Sequence, residues 1–375
     1  MKRPFIYGEL AENENFIDRI EDRKQLKTFL GNGINVTLIS PRRWGKSSLV
    51  KATMKEMQAE DSKIVACFID AFRLNSETDF YNAFASAVVN SVATTLDKGL
   101  EYIKRYLQNF SASFKIKGPF VEVEVDLRQK ENPKSVEELL NLPQVIAEQK
   151  GLHIIMCIDE FQRLADFPEW PKMEGMLRSV WQHQQDVTYC LYGSKRHMLM
   201  DIFTNSNKPF YRFGQTLYLK KITTEYWVEY IVNTFKRTGK EISKELATRI
   251  CDSMENHSWY VQQLSFFVWA DTETTVTEEI FNQQLQSVID TNMPVFESET
   301  DKLALSQIAM LRAIVAGEQR LNSNEVVKRF NLGGPQTITR NKGVLVKLDI
   351  LEKQGGKLVF VDPLYRLWFK QTYCG

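Results

Sequence analysis

The sequence predicts an α/β body with a mainly parallel sheet, followed by a helical lid and a small α+β tail. Three observations carry that prediction. Short apolar, β-branched runs alternate with helical stretches over residues 1–220, the pattern of right-handed βαβ crossovers. Several of these runs end on polar or acidic tips: Ser40, Asp70, Asp159-Glu160 and Gly193-Ser194. From Thr223 to about Met293 the pattern is helical throughout, and from Leu303 three short helical stretches precede a ribbon around Gly355-Gly356.

The elements follow in order. Residues 35–39 form a short apolar strand, residues 40–48 a tight loop, and the stretch from Leu49 to Met54 a helix. A second buried strand, 64–69, ends at Asp70. It is expected beside the first, where Asp70 would orient a water or cap a helix. A long helical region runs from about Asp79 to Leu107, and residues 114–125 then alternate apolar and charged around Gly118-Pro119, as a hairpin does. One helix is expected over 136–149. The most apolar strand, 154–158, ends in Asp159-Glu160, and further strands lie at 187–192 and 216–219. The stripe Phe266, Phe267 and Trp269 has helical spacing and reads as lid core. The boundaries expected are 1–220 for the body (with an insertion at about 108–135), 221–297 for the lid and 298–375 for the tail.

At 375 residues the chain has room for two or three domains. Hydrophobic residues make up 43% and charged residues 25%, which excludes wholesale disorder. The net charge is +1, but residues 301–375 hold 12 Lys/Arg against 6 Asp/Glu, while residues 1–300 hold 36 against 41. A basic module of net +6 thus follows a body of net −5. No stretch approaches the ~18 apolar residues of a membrane span, and Met1-Lys2-Arg3-Pro4-Phe5 opens no apolar secretory segment. The five cysteines are scattered, without a C-x-x-C pair, and read as reduced thiols of a cytoplasmic protein. The four histidines share no metal-ligand spacing.

Residues 40–47, SPRRWGKS, fit G-x-x-x-x-G-K-[ST] except that Ser40 replaces the first glycine. Loop and helix N–H groups in such a turn point at phosphates. Gly45 lets the backbone come close, Lys46 places a cation at the β- and γ-phosphates, and the Ser47 hydroxyl ligates Mg²⁺. Two carboxylates at the tip of an apolar strand are costly unless a cation or water awaits them. In a P-loop NTPase fold Asp159 would hold Mg²⁺ and Glu160 would polarise the attacking water.

With these motifs the chain resembles the archaeal-type ATPases, signalling-class (STAND) relatives of the AAA+ proteins that carry a C-terminal winged helix. The loop resembles their P-R-R-x-G-K-[ST]; Ile158-Asp159-Glu160-Phe161-Gln162 resembles their second motif; Phe16-Ile17-Asp18-Arg19 resembles the box near the nucleotide base. Gly193-Ser194 is similar to their polar sensor, Phe210-Tyr211-Arg212-Phe213 to their aromatic-arginine segment, and residues 256–262 to their lid motif. Asn256 and Ser258 stand where that motif has glycine and proline, and Ile20 stands where the box has an acid. Asp362-Pro363-Leu364 and Trp368 resemble the end of their winged-helix tail.

The resemblance implies an ATP-binding, Mg²⁺-dependent ATPase acting as a conformational switch. Its nucleotide contacts would come from Ser40, Pro41, Arg42, Arg43, Trp44, Gly45, Lys46, Ser47, Ser48 and Arg19. Ser47 and Asp159 would hold the metal, Glu160 would be the base, and Ser194 and Arg212 the sensors. Arg42 and Arg43 are equally readable as ion-pairing with the acidic body, Trp44 as packing, and Arg212 as an interface ion pair. In the tail, Thr337, Thr339, Arg340 and Lys342 open a candidate recognition helix, and the +6 charge suits duplex DNA. A protein partner, a DNA-binding regulator with structural nucleotide, and an ATP-dependent homo-oligomeric scaffold are the alternatives. No membrane partner is expected.

Overall fold

The computed structural model describes residues 3–9, 16–95, 112–117, 120–125 and 133–374. The chain divides into two compact units: Arg19–Lys220, and Met1–Asp18 together with Lys221–Gly375. Among the described residues no helix is long and apolar enough to cross a membrane.

The first unit is built on a parallel sheet of β1 (Val36–Ile39), β2 (Ile64–Asp70), β5 (His153–Asp159), β6 (Val187–Gly193) and β7 (Gln215–Tyr218). Between β2 and β5 in the chain lies an antiparallel pair, β3 (Ala112–Lys117) and β4 (Phe120–Val125). The five-stranded sheet runs in the order β2-β5-β6-β1-β7, all pairs parallel. Burial explains the composition of the strands. β1 and β6 are buried at every residue and read as apolar and β-branched runs, whereas the edge strands β2 and β7 expose residues such as Phe68 and Tyr218.

This order corrects the expected place of Asp70. Its strand lies at the far edge, separated from β1 by β5 and β6, with Asp70 in register with Asp159. Asp70 instead caps the 3₁₀ turn Ala71–Arg73, accepting from the Phe72 N–H at 3.1 Å. The single helix expected over 136–149 is two, Pro133–Leu140 and Leu142–Lys150, because Pro143 has no N–H to continue the ladder. The long helix after β2 is described over Glu77–Thr95; its expected continuation to 107 and the Gly118-Pro119 turn lie outside the described residues. The ribbon's alternation is as read, with Phe114 opposite Val123 and Lys115 opposite Glu122. Ser86 on the helix holds the ribbon by accepting the Val123 N–H at 2.9 Å.

The unit's core centres on an aromatic cluster. Trp181 stacks on Tyr189 at 4.0 Å, and Phe161, Trp170, Phe203, Phe210 and Phe213 close around them. It ties the segment after β5 to the segment before β7.

The second unit holds helices Thr224–Arg237, Lys244–Ser253, Ser258–Asp271 and Glu278–Thr300. Three more helices follow, Leu305–Val315, Asn324–Phe330 and Pro335–Lys347, then the hairpin β8 (Leu351–Gln354) and β9 (Lys357–Phe360), and helix Pro363–Cys374. The N-terminal segment belongs here: Phe5 is fully buried against Tyr230 and Phe235. Asn256 takes the left-handed φ of 57° that glycine favours, and Ser258 opens the next helix at a position that suits proline. The two replacements thus keep the local backbone of a Gly-x-Pro turn.

Candidate functional site

The carboxyl ends of β1, β5 and β6 lie side by side, since Ile39 pairs with Gly193 and Ile158 with Leu191. Each strand therefore delivers its tip to one edge of the sheet, where α/β folds place ligands. From β1 the chain turns through Ser40, Pro41, Arg42, Arg43 and Trp44. Arg43 and Gly45 both have positive φ, 64° and 87°. No protein atom would touch a Cβ at Gly45, so within the protein its glycine serves the backbone angle. Gly45 caps helix Lys46–Glu60 without a side-chain cap, which leaves the helix N-terminus open to an anion.

From β5 come the two acids. The Ser47 hydroxyl donates to Asp159 Oδ2 at 2.6 Å, although the residues are 112 apart in sequence. Lys46 Nζ meets Glu160 Oε1 at 2.7 Å, with the lysine side chain 9% exposed. Oε2 of the same carboxylate accepts from Gln162 Nε2 at 2.5 Å, from Ser194 Oγ at 2.8 Å and from Ser194 N–H at 3.2 Å. Arg42 Nε reaches the Ser194 hydroxyl at 3.4 Å.

The two carboxyls differ in electrostatics. Burial pushes Asp159 up, and the opposing pull of Lys46 and of the Ser47 hydroxyl does not cancel it. Burial also opposes charge on Glu160, but the adjacent Lys46 ammonium, with Gln162 and Ser194, outweighs it and holds that carboxyl below its ordinary range. The site thus keeps Glu160 ionised.

The network takes in Lys46, Ser47, Asp159, Glu160, Ser194 and Arg42 from the predicted set. Ser40 is fully buried, its hydroxyl donating to the Pro41 carbonyl at 3.0 Å. Trp44 and Ser48 are buried, and Arg43 is exposed. Arg19 is 4% exposed and supports the loop from behind: it donates to the Trp44 carbonyl at 3.0 Å, to the Lys220 carbonyl at 2.6 Å and to Asp22. Arg212 stands outside the network. It is exposed at φ 53°, its guanidinium 5.1 Å from the Tyr211 ring, between the buried Phe210 and Phe213. Thr337, Thr339, Arg340 and Lys342 lie in the other unit on helix Pro335–Lys347, whose buried residues are Ile338, Asn341 and Leu345. Sequence reasoning assigned no role to Gln162 or to the recess at Gly193. The only signal was their position inside recognised motifs.

The parallel sheet, the phosphate-type loop between β1 and its helix, and the acidic tip of β5 define the P-loop NTPase fold. Over nearly its whole length the chain is similar to the Walker-type ATPase PABY2304 of Pyrococcus abyssi, at 16% identity and a TM-score of 0.68, covering 98% of this chain and 99% of that one. It is also similar to the ORC2 protein of Aeropyrum pernix in its ADPNP–ADP complexes, at 12% identity and a TM-score of 0.60, covering 100% and 99%. The ORC1 protein of the same organism, solved in complex with DNA, matches at 10% identity and a TM-score of 0.50, covering 96% and 94%. No protein-family model matches the chain, and no curated protein matches it.

Proposed function

We propose that this protein is an ATP-binding, Mg²⁺-dependent P-loop ATPase of the AAA+/STAND kind, a cytoplasmic nucleotide-driven switch. The observation that carries the reading is the double pairing of Lys46 with Glu160 and Ser47 with Asp159 at the carboxyl edge of the sheet. The Pyrococcus Walker-type ATPase and the nucleotide-bound ORC2 protein support it by fold.

A hydroxyl and a carboxylate 2.6 Å apart are hard oxygen donors of the kind Mg²⁺ takes, alongside phosphate oxygens and waters. Ser47 and Asp159 would hold the ion, whose chemistry is to neutralise charge on the phosphates. Lys46 exchanges its bond to Glu160 for a phosphate oxygen. Glu160, freed of that cation, accepts the proton of the attacking water. Ser194 and Arg42 sense the γ-phosphate, and Arg212 offers a cation from outside. Arg19 holds the loop's backbone through the Trp44 carbonyl.

The second unit would carry a lid (221–297) and a winged helix (298–375) built from the three short helices and the β8–β9 hairpin. Thr339 and Arg340 are exposed and Thr337 and Lys342 half-buried, a face suited to duplex DNA or a protein. That ORC1 was solved with DNA supports the former. The four donors on Glu160 favour one second reading, a regulator with slowly hydrolysed nucleotide; multiple-turnover assays with and without DNA separate the two. The primary test is a heat-shift series with ATP, ADP and GTP, each with and without Mg²⁺. Wild type should be stabilised by ATP·Mg²⁺ and Lys46→Ala should not respond. An equal response in both proteins would end the nucleotide reading.

A further inference from the structure

We infer that Gln162 is the positioning residue for Glu160, with Gly193 as the recess that admits it; this rests on the reading of Glu160 as the base. Glu160 has a left-handed φ of 50° at the start of the 3₁₀ helix Phe161–Asp166, which turns Gln162 back toward its carboxylate. Four donors hold that carboxylate: Lys46 on Oε1, and Gln162 with the hydroxyl and N–H of Ser194 on Oε2. Lys46 and Ser194 have a second task at the phosphates. Gln162 is 1% exposed and has none. It is the side chain that keeps its bond, at 2.5 Å, beside the fixed Ser194 N–H, while the Lys46 ammonium and the Ser194 hydroxyl turn to nucleotide.

The arrangement is tightly specified. An ionised carboxylate only accepts hydrogen bonds, so the NH₂ of Gln162 must face it and the amide oxygen must point away. That oxygen, Oε1, is buried without a hydrogen-bond partner. A Cβ at Gly193 would stand 1.9 Å from it and 3.0 Å from Cδ. Gly193 is a strand residue with no positive φ, so space is what it supplies. A buried unpaired oxygen is retained where something else requires the group. Here that requirement is the bond to Glu160.

Single-turnover hydrolysis, ATP affinity and melting temperature would be measured on the full chain for Gln162→Met, Gly193→Ala and Glu160→Gln. Gln162→Met should lower the hydrolysis rate about 10–100-fold, by analogy with the hydrogen-bond partners that orient metal ligands. ATP affinity should be unchanged. The melting temperature should not fall, because methionine fills the volume and removes the unpaired oxygen. Gly193→Ala should also slow hydrolysis, though it deletes no hydrogen-bonding group. Gln162→Ala with Gly193→Ala should come close to Gln162→Ala alone, since the clash with the amide has gone and only the Leu199 Cδ1 contact at 3.3 Å remains. A wild-type rate for Gln162→Met beside a slow Glu160→Gln overturns the positioning role alone. A wild-type rate for Glu160→Gln removes the base and this inference with it. Parallel loss of affinity and melting temperature in Gln162→Met would make the residue structural and overturn the proposal.

Discussion

The candidate residues of the two units are held in opposite ways. In the Arg19–Lys220 unit the polar groups are bonded to one another and, Arg42 apart, buried or half-buried: Lys46 to Glu160, Ser47 to Asp159, Ser194 to Glu160 and Arg42. In the second unit Thr339 and Arg340 stand exposed on a helix anchored by Ile338, Asn341 and Leu345. The difference matches the chemistry proposed for each. Transition-state stabilisation needs fixed dipoles in a site shielded from water. Attraction to a phosphate backbone works through net charge and tolerates mobile side chains.

The largest expected effect tests whether this network is complete by itself. Arg212 lies outside it, held by the buried Phe210 and Phe213. If it supplies the missing cation, Arg212→Ala should slow hydrolysis by about 10³–10⁵. Mixing this variant with Lys46→Ala should restore turnover, because each protein then supplies what the other lacks. Near-normal turnover by Arg212→Ala alone would leave Arg212 as a surface ion and the network self-sufficient.

Next comes the network's own base. Glu160→Gln should still bind ATP but hydrolyse it about 10²–10⁴-fold more slowly. DNA binding by the second unit should be indifferent to this change in the absence of nucleotide. If turnover stays at the wild-type level, Glu160 has no part in the chemistry.

The smallest effects belong to the exposed face. DNA affinity of the full chain should fall with salt at a slope of about −0.9 per phosphate contact. Arg340→Ala and Lys342→Ala should each flatten that slope by about one unit, with ATP affinity unchanged. Absence of DNA binding even at low salt would turn the tail reading to a protein partner. A tail variant that abolished ATP binding would break the separation between the two sites.

Much of this was legible in the chain. Central strands are buried on both faces, so 36–39, 154–158 and 187–192 read as apolar runs, and their polar tips announced the sheet edge where the site forms. The lysine, serine and acids stood out because the phosphate and Mg²⁺ chemistry proposed for them admits few residue types at those spacings. The single helix expected at 136–149 failed because its hydrophobic period runs on across Pro143 while the backbone ladder cannot.

The sequence by itself therefore determined most of the elements and the positions of the loop and acids proposed to meet phosphate, since each follows from local periodicity or from the chemistry of a few side chains. Strand order was decided only in three dimensions. Asp70 ends an apolar strand just as Asp159 does, and nothing in its neighbours says that β2 takes the far edge while β6 takes the place beside β1. The buried Phe5 against Tyr230 and Phe235, the reach of Arg19 to the Trp44 and Lys220 carbonyls, and the fit of Gln162 into the space at Gly193 belong to the same class. Each depends on which distant surfaces meet and on how much room remains between them. Close packing sets those quantities, and a linear pattern of residue types does not encode them.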